Sequence, residues 1–186
     1  MADLLNFPVT VISIFQMTSQ ARKTKTQRTV KPAEIFSDPV CFLAFGFGSG
    51  LSPIAPGTFG TLAAIPIYWL VAGLGRPLYA SIVIALAIAG VYICGRCERR
   101  LEVQDHPGIV WDEIIGFLIT MMFAPASWQW VLLGFLAFRL FDIWKPWPIG
   151  DLDRTIHGGL GVMLDDLLAG VYGAACLVML RNGFGI

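Results

Sequence analysis

The stretch HGGLGVMLDDLLAGVYGAACLVML, residues 157–180, decides the fold. From about residue 160 it is an apolar helical run approaching the roughly 20 residues needed to cross a hydrocarbon layer, and it carries two adjacent carboxylates, Asp165 and Asp166. An acid in a membrane helix costs about 2.5–3.5 kcal/mol on insertion scales, so one that remains faces a polar cavity or a partner. A second run of similar length covers about 78 to 96. The whole chain agrees with these two: of 186 residues 56% are hydrophobic and only 14% charged, about half the charge of a soluble domain. The formal net charge is zero, so nothing in the bulk electrostatics suggests nucleic acid as a partner.

Outward from these runs, apolar stretches alternate with charged or Gly/Pro-rich connectors, and few period-two alternations suggest a barrel. The expected fold is all-α: an integral membrane helical bundle of about five or six helices, several short or hairpin-paired. The helices fall at about 40 to 47, 59 to 74, 78 to 96, 112 to 123, 127 to 142 and 160 to 180. Gly73, Gly75 and Pro77 separate the second from the third, and Pro125 separates the fourth from the fifth. Residues 1–38 read as a flexible arm, basic over 16 to 34 and able to lie on anionic lipid, ahead of a catalytic membrane domain at 39–186. The apolar stretch Leu4 to Phe15 follows Asp3 rather than a basic residue and precedes no small-residue cleavage site, so no cleaved signal peptide is expected.

Basic residues favour the cytoplasmic side of short loops. With the basic arm inside, threading the helices leaves Arg76 alone outside and brings Arg96, Arg99, Arg100, Arg139, Lys145 and Arg154 inside. Eight of the thirteen acids lie between Asp105 and Asp166, and the connectors bearing them converge on that same face.

Four segments carry the chemistry: GSGLSPIAPGTFGT (48–61), DHPGIVWDEIIG (105–116), RLFDIWKPWPI (139–149) and HGGLGVMLDDLLAG (157–170). Asp112, Glu113, Asp142, Asp165 and Asp166 cannot all ionise side by side without a cation, because like charges raise one another's pKa. A hard divalent ion such as Mg²⁺ removes the conflict and shares its shell with phosphate and water. Asp165 and Asp166 stand about 100° apart on a helix, so one can ligate metal while the other orients a second group. Lys145, three residues after Asp142, can neutralise phosphate oxygens. The glycine- and hydroxyl-rich first segment opens a helix near Thr58, a geometry that offers backbone N–H groups to an anion. The four cysteines sit mostly in apolar runs and read as small hydrophobes rather than a disulfide framework; Cys94-x-x-Cys97 alone is weak evidence for zinc or redox chemistry.

In order, these segments resemble the phosphatidylglycerophosphatase A family over about residues 40 to 175: G-x-G-L-S-P-x-x-P-G-T-x-G, I-V-x-D-E-x-x-G, R-x-x-D-x-x-K-P-x-P-I and H-G-G-x-G-I-M-x-D-D-x-x-A-G, with Val162 at the Ile position. The resemblance implies a Mg²⁺-dependent hydrolysis of phosphatidylglycerophosphate to phosphatidylglycerol and phosphate, in a multi-pass protein of the bacterial inner membrane whose site faces the cytoplasm. It carries over Asp112, Glu113, Asp142, Lys145, Asp165 and Asp166 as catalytic positions, the five acids among them as candidate metal ligands. Thr58, Arg139, Lys145 and His157 are the candidates for holding the substrate phosphate.

Other phosphatase motifs fit less well. Asp151-Leu-Asp-Arg-Thr155 matches the D-x-D-x-T string of haloacid-dehalogenase phosphatases but follows Trp147-Pro-Ile-Gly rather than a hydrophobic strand. Cys94 to Arg100 matches C-x5-R, but Glu98 would sit in its anion cradle. The phosphohistidine lipid phosphatases need a Ser-Gly-His that neither His106 nor His157 supplies. The alternative from another class is a divalent-cation transporter or channel, which expects acids spread through the membrane depth.

Overall fold

A computed structural model describes residues 30–184, and its regular elements there are all helices. They are α1 (Pro32–Phe36), α2 (Pro39–Ala44), a 3-10 segment (Gly46–Leu51), α3 (Pro56–Val71), α4 (Arg76–Leu101), α5 (Trp111–Thr120) with a 3-10 turn (Met121–Phe123), α6 (Trp128–Trp144), α7 (Ile149–Thr155) and α8 (Gly159–Phe184). Most of the basic arm lies outside the described residues. Its end is folded: Ile35 is buried, and Asp38 caps α2 by accepting from the backbone N–H groups of Val40 and Cys41.

Proline sets the start of α1, α2, α3 and α4, where a missing N–H costs nothing. α4 and α8, 26 residues each, are long and apolar enough to cross a membrane, about 39 Å at the helical rise. Their outward faces are apolar, with Ile88 70% and Met179 71% exposed, as befits surface that lipid rather than water covers. Together with the all-helical architecture this makes the chain a helical membrane protein.

Of the shorter helices, α5, α6 and α7 pack on α8, while α3 packs on α5 and α2 on α4. α5 runs parallel to α8, with Gly116 against the Asp166 carbonyl, Gly170 against the Gly116 carbonyl and Thr120 against Gly173. A methyl on Gly170 would lie 2.5 Å from the Gly116 oxygen, so only glycine permits this backbone-to-backbone crossing. The Thr120 hydroxyl lies within hydrogen-bond distance of the carbonyls of Gly116 (3.0 Å) and Gly170 (3.2 Å) at that crossing. α4 and α6 run antiparallel to α8, since Gly90 meets Met163 while Gly95 meets Gly159, and Lys145 meets Asp165 while Phe141 meets Tyr172. α3 runs with α5, Gly57 lying at Glu113 and Tyr68 at Phe117. The starts of α3, α5 and α8 and the ends of α4 and α6 therefore share one end of the bundle.

Three details differ from the sequence reading. The helix expected at 40 to 47 stops at Ala44, because Phe47 and Gly48 take positive φ (60° and 95°) and turn the chain into the 3-10 segment. α7 occupies a stretch read as connector. Cys41 and Cys97 form a disulfide between α2 and α4, against the expectation of unpaired cysteines, while Cys94 and Cys176 are free. The Cα atoms of Cys41 and Cys97, 56 residues apart in sequence, lie 5.0 Å apart where α2 rests on the last turns of α4, well within bridging distance. An Arg100–Asp38 ion pair of 2.8 Å joins the same two regions.

Candidate active site

The shared end of the bundle holds a cleft of about 430 Å³, lined by Asp112, Glu113, Arg139, Asp142, Lys145, Asp165 and Asp166 together with residues of the 105–109 loop and the start of α3. Each side chain arrives by a simple route. Asp112 and Glu113 sit in the first turn of α5, where the helix's partial positive charge favours carboxylates. Asp166 reaches them because the Gly116–Gly170 crossing sets α5 and α8 side by side one turn further on. One oxygen from each of Asp112, Glu113 and Asp166 lies within 4.8 Å of the others. Asp112 is 8% and Asp166 2% exposed.

Asp165, one residue earlier and about 100° round the helix, turns to Lys145, whose Nζ lies 2.6 Å from its Oδ2. Arg139 and Asp142, three residues apart on α6, pair at 2.5 Å. Both cations are thus held by acids at the wall of the cleft, beside the three-carboxylate cluster. Gly57 completes that wall: a Cβ there would run into Glu113 Oε1 and come 3.0 Å from Arg139 Nη1.

Asp112 Oδ1, Glu113 Oε2 and Asp166 Oδ2 are buried with no hydrogen-bond partner. Leaving buried carboxylate oxygens unbonded beside one another is costly. A hard divalent cation, which takes carboxylate oxygens, phosphate and water, fits this donor set.

The structure thus brings together all five acids, Arg139 and Lys145 in one cleft, with three acids converging and two engaged in ion pairs. Thr58 and His157 are not among the lining residues. The Thr58 backbone N–H donates to the Ala55 carbonyl, and His157 is exposed in the turn before α8. The acids gather at one end of the bundle rather than along its length, which lends the cation-transporter alternative no support. The D-x-D-x-T string falls in α7, with no strand before it among the described residues.

Two titratable lining residues, Asp105 and His106, were not singled out as site residues from the sequence. Their loop is clamped: the Asp105 N–H donates to Glu98 Oε1 at 2.7 Å, the Val110 N–H to the Ala44 carbonyl at 2.8 Å, and Gly50 lies against the Gly108 carbonyl. The signal available for them was their place at the start of the segment that carries Asp112 and Glu113.

Fold and cleft define a class: a helical membrane protein whose buried carboxylates can hold a cation beside an arginine and a lysine. Residues 42–181 match the family model described as Phosphatidylglycerophosphatase A. The chain belongs to that family. It is 51% identical over 147 residues to the Phosphatidylglycerophosphatase A of Escherichia coli K12, covering 78% of this chain and 86% of that protein. It is 42% identical over 137 residues to the protein of the same name in Haemophilus influenzae, covering 73% and 84%. A Bacteroides thetaiotaomicron protein that provisionally carries the name phosphatidylinositol-3-phosphatase is 37% identical over 145 residues, covering 73% and 89%. No solved structure matches the chain.

Proposed function

We propose that this protein hydrolyses phosphatidylglycerophosphate to phosphatidylglycerol and phosphate in phospholipid synthesis, with Mg²⁺, at the cytoplasmic face of a bacterial inner membrane. The observation that carries the reading is the convergence of Asp112, Glu113 and Asp166, each with one oxygen lacking a hydrogen-bond partner, beside Arg139 and Lys145 in one cleft. Family membership and the names of the E. coli and H. influenzae relatives supply the substrate.

Asp112, Glu113 and Asp166 would hold the ion, which would supply positive charge to the phosphoryl group as it is transferred. Arg139 and Lys145 bring positive charge to the equatorial oxygens, where it builds in a phosphoryl transfer, and their pairing with Asp142 and Asp165 fixes their direction. Asp142 lines the cleft outside the three-carboxylate cluster and orients the attacking water, accepting its proton as the new O–P bond forms. The old P–O bond breaks on the far side, and the glycerol oxygen takes a proton from solvent.

The test is phosphate release by the purified protein in detergent micelles containing phosphatidylglycerophosphate. Release is expected with Mg²⁺ and abolished by chelator. Release that persists in chelator overturns the metal assignment, and release only from phosphatidylinositol 3-phosphate overturns the substrate.

A further inference from the structure

The acids and cations of the cleft account for a metal and a phosphate, yet 430 Å³ is the size of a pocket that encloses more than one small ion. The rest of its polar lining includes His106. Three contacts and positions define that imidazole. Its ring lies 5.4 Å from that of Phe45, its Nδ1 accepts the Gly108 backbone N–H at 3.0 Å, and the residue lines the cleft. Because Nδ1 is an acceptor, the neutral ring carries its proton on Nε2, at the edge turned away from Gly108. Half-burial pushes the imidazole below its ordinary pKa, which favours this neutral form at physiological pH. A neutral donor beside a dianionic phosphate is suited to a hydroxyl rather than to the phosphate, which Arg139 and Lys145 attract more strongly.

We propose that His106 is a headgroup-selecting residue, donating its Nε2–H to the free hydroxyl of the polyol that carries the phosphate. The proposal rests on the reading of the chain as a lipid phosphomonoesterase, and it assigns to the 105–109 loop the part of the substrate that the carboxylates do not touch.

The experiment compares two lipids in the same micelles: phosphatidylglycerophosphate, and the analogue with a 1,3-propanediol phosphate headgroup, which lacks only the free hydroxyl. The wild-type protein is expected to lose about fivefold to tenfold in kcat/KM on the analogue, the worth of one hydrogen bond. His106→Asn keeps an acceptor for the Gly108 N–H but places no donor where Nε2 stood. It is expected to lose a similar factor on the natural lipid and nothing further on the analogue. His106→Gln, whose amide N–H reaches the Nε2 position, is expected to retain the preference for the hydroxyl. Equal losses on both lipids in His106→Asn, or a wild-type protein indifferent to the hydroxyl, overturn the proposal. A wild-type protein that releases phosphate from neither lipid overturns the phosphatase reading itself and the role of His106 with it.

Discussion

At the residue scale the five acids divide into two kinds of work. Asp112, Glu113 and Asp166 converge on one another, whereas Asp142 and Asp165 pair with Arg139 and Lys145. Replacing an acid in each group separates the roles. Asp166→Asn is expected to move half-maximal activity to at least tenfold higher Mg²⁺, since loss of a ligand weakens the ion's hold. Asp142→Asn is expected to leave that Mg²⁺ requirement in place while lowering kcat by about 10²–10⁴, the usual worth of a general base. Mg²⁺ titrations of both variants check the division. Rapid-quench labelling of the wild type with phosphate-labelled lipid is expected to trap no acid-stable acyl phosphate on the protein, and a trapped aspartyl phosphate would replace water attack with a covalent step.

At the element scale the site depends on the α5–α8 crossing. Gly170→Val would push a branched side chain into the Gly116 carbonyl and the Ile119 side chain, costing roughly 1–3 kcal/mol of stability. Because Asp112 and Asp166 each lie one turn before the crossing, the same change is expected to raise the Mg²⁺ needed for activity. A thermal melt read beside a Mg²⁺ titration shows both effects, and a lowered melt with an unchanged Mg²⁺ curve would dissociate the crossing from the site. These helices were readable from sequence because Gly and Pro bound long apolar runs, as at Gly73, Gly75, Pro77 and Pro125. α7 was not, since seven residues make two turns and Pro146 and Pro148 beside them signal a loop. Nor could local spacing pair Cys41 with Cys97, which meet only through the docking of α2 on α4. The membership of the acid cluster was readable as a set of five, but which three converge depends on the Gly116–Gly170 contact, a tertiary fact. His106 escaped because its meaning lies in Gly108 and Phe45, which fix the ring.

At the scale of the whole molecule, the end of the bundle holding the cleft also holds Arg99, Arg100, Arg139 and Lys145. On the positive-inside rule the proposed orientation puts that end in the cytoplasm. Exposed Trp128 and Trp144, 66% and 68% accessible, stand at the two ends of α6, about 24 Å apart along the helix. α8 leaves the cleft end and is long enough to cross, so in the proposed orientation its last residues would lie on the opposite side. Alkaline phosphatase fused to the C-terminus of the full chain is therefore expected to be active outside the cell membrane, and a fluorescent protein fused there to stay dark. The reverse pattern would invert the orientation.

The contact of Gly116 with Gly170 has a consequence for which ion the cleft grips. The jaws of the site are two peptide backbones pressed together, so the gap between the carboxylates is gauged like the opening of a caliper whose screw is locked. A small ion with short bonds to oxygen tolerates such a fixed gauge, whereas a larger ion that gathers six to eight ligands at longer reach needs jaws that can open. On the proposed metal role, discrimination between magnesium and calcium would then depend on main-chain contact as well as on the carboxylates themselves.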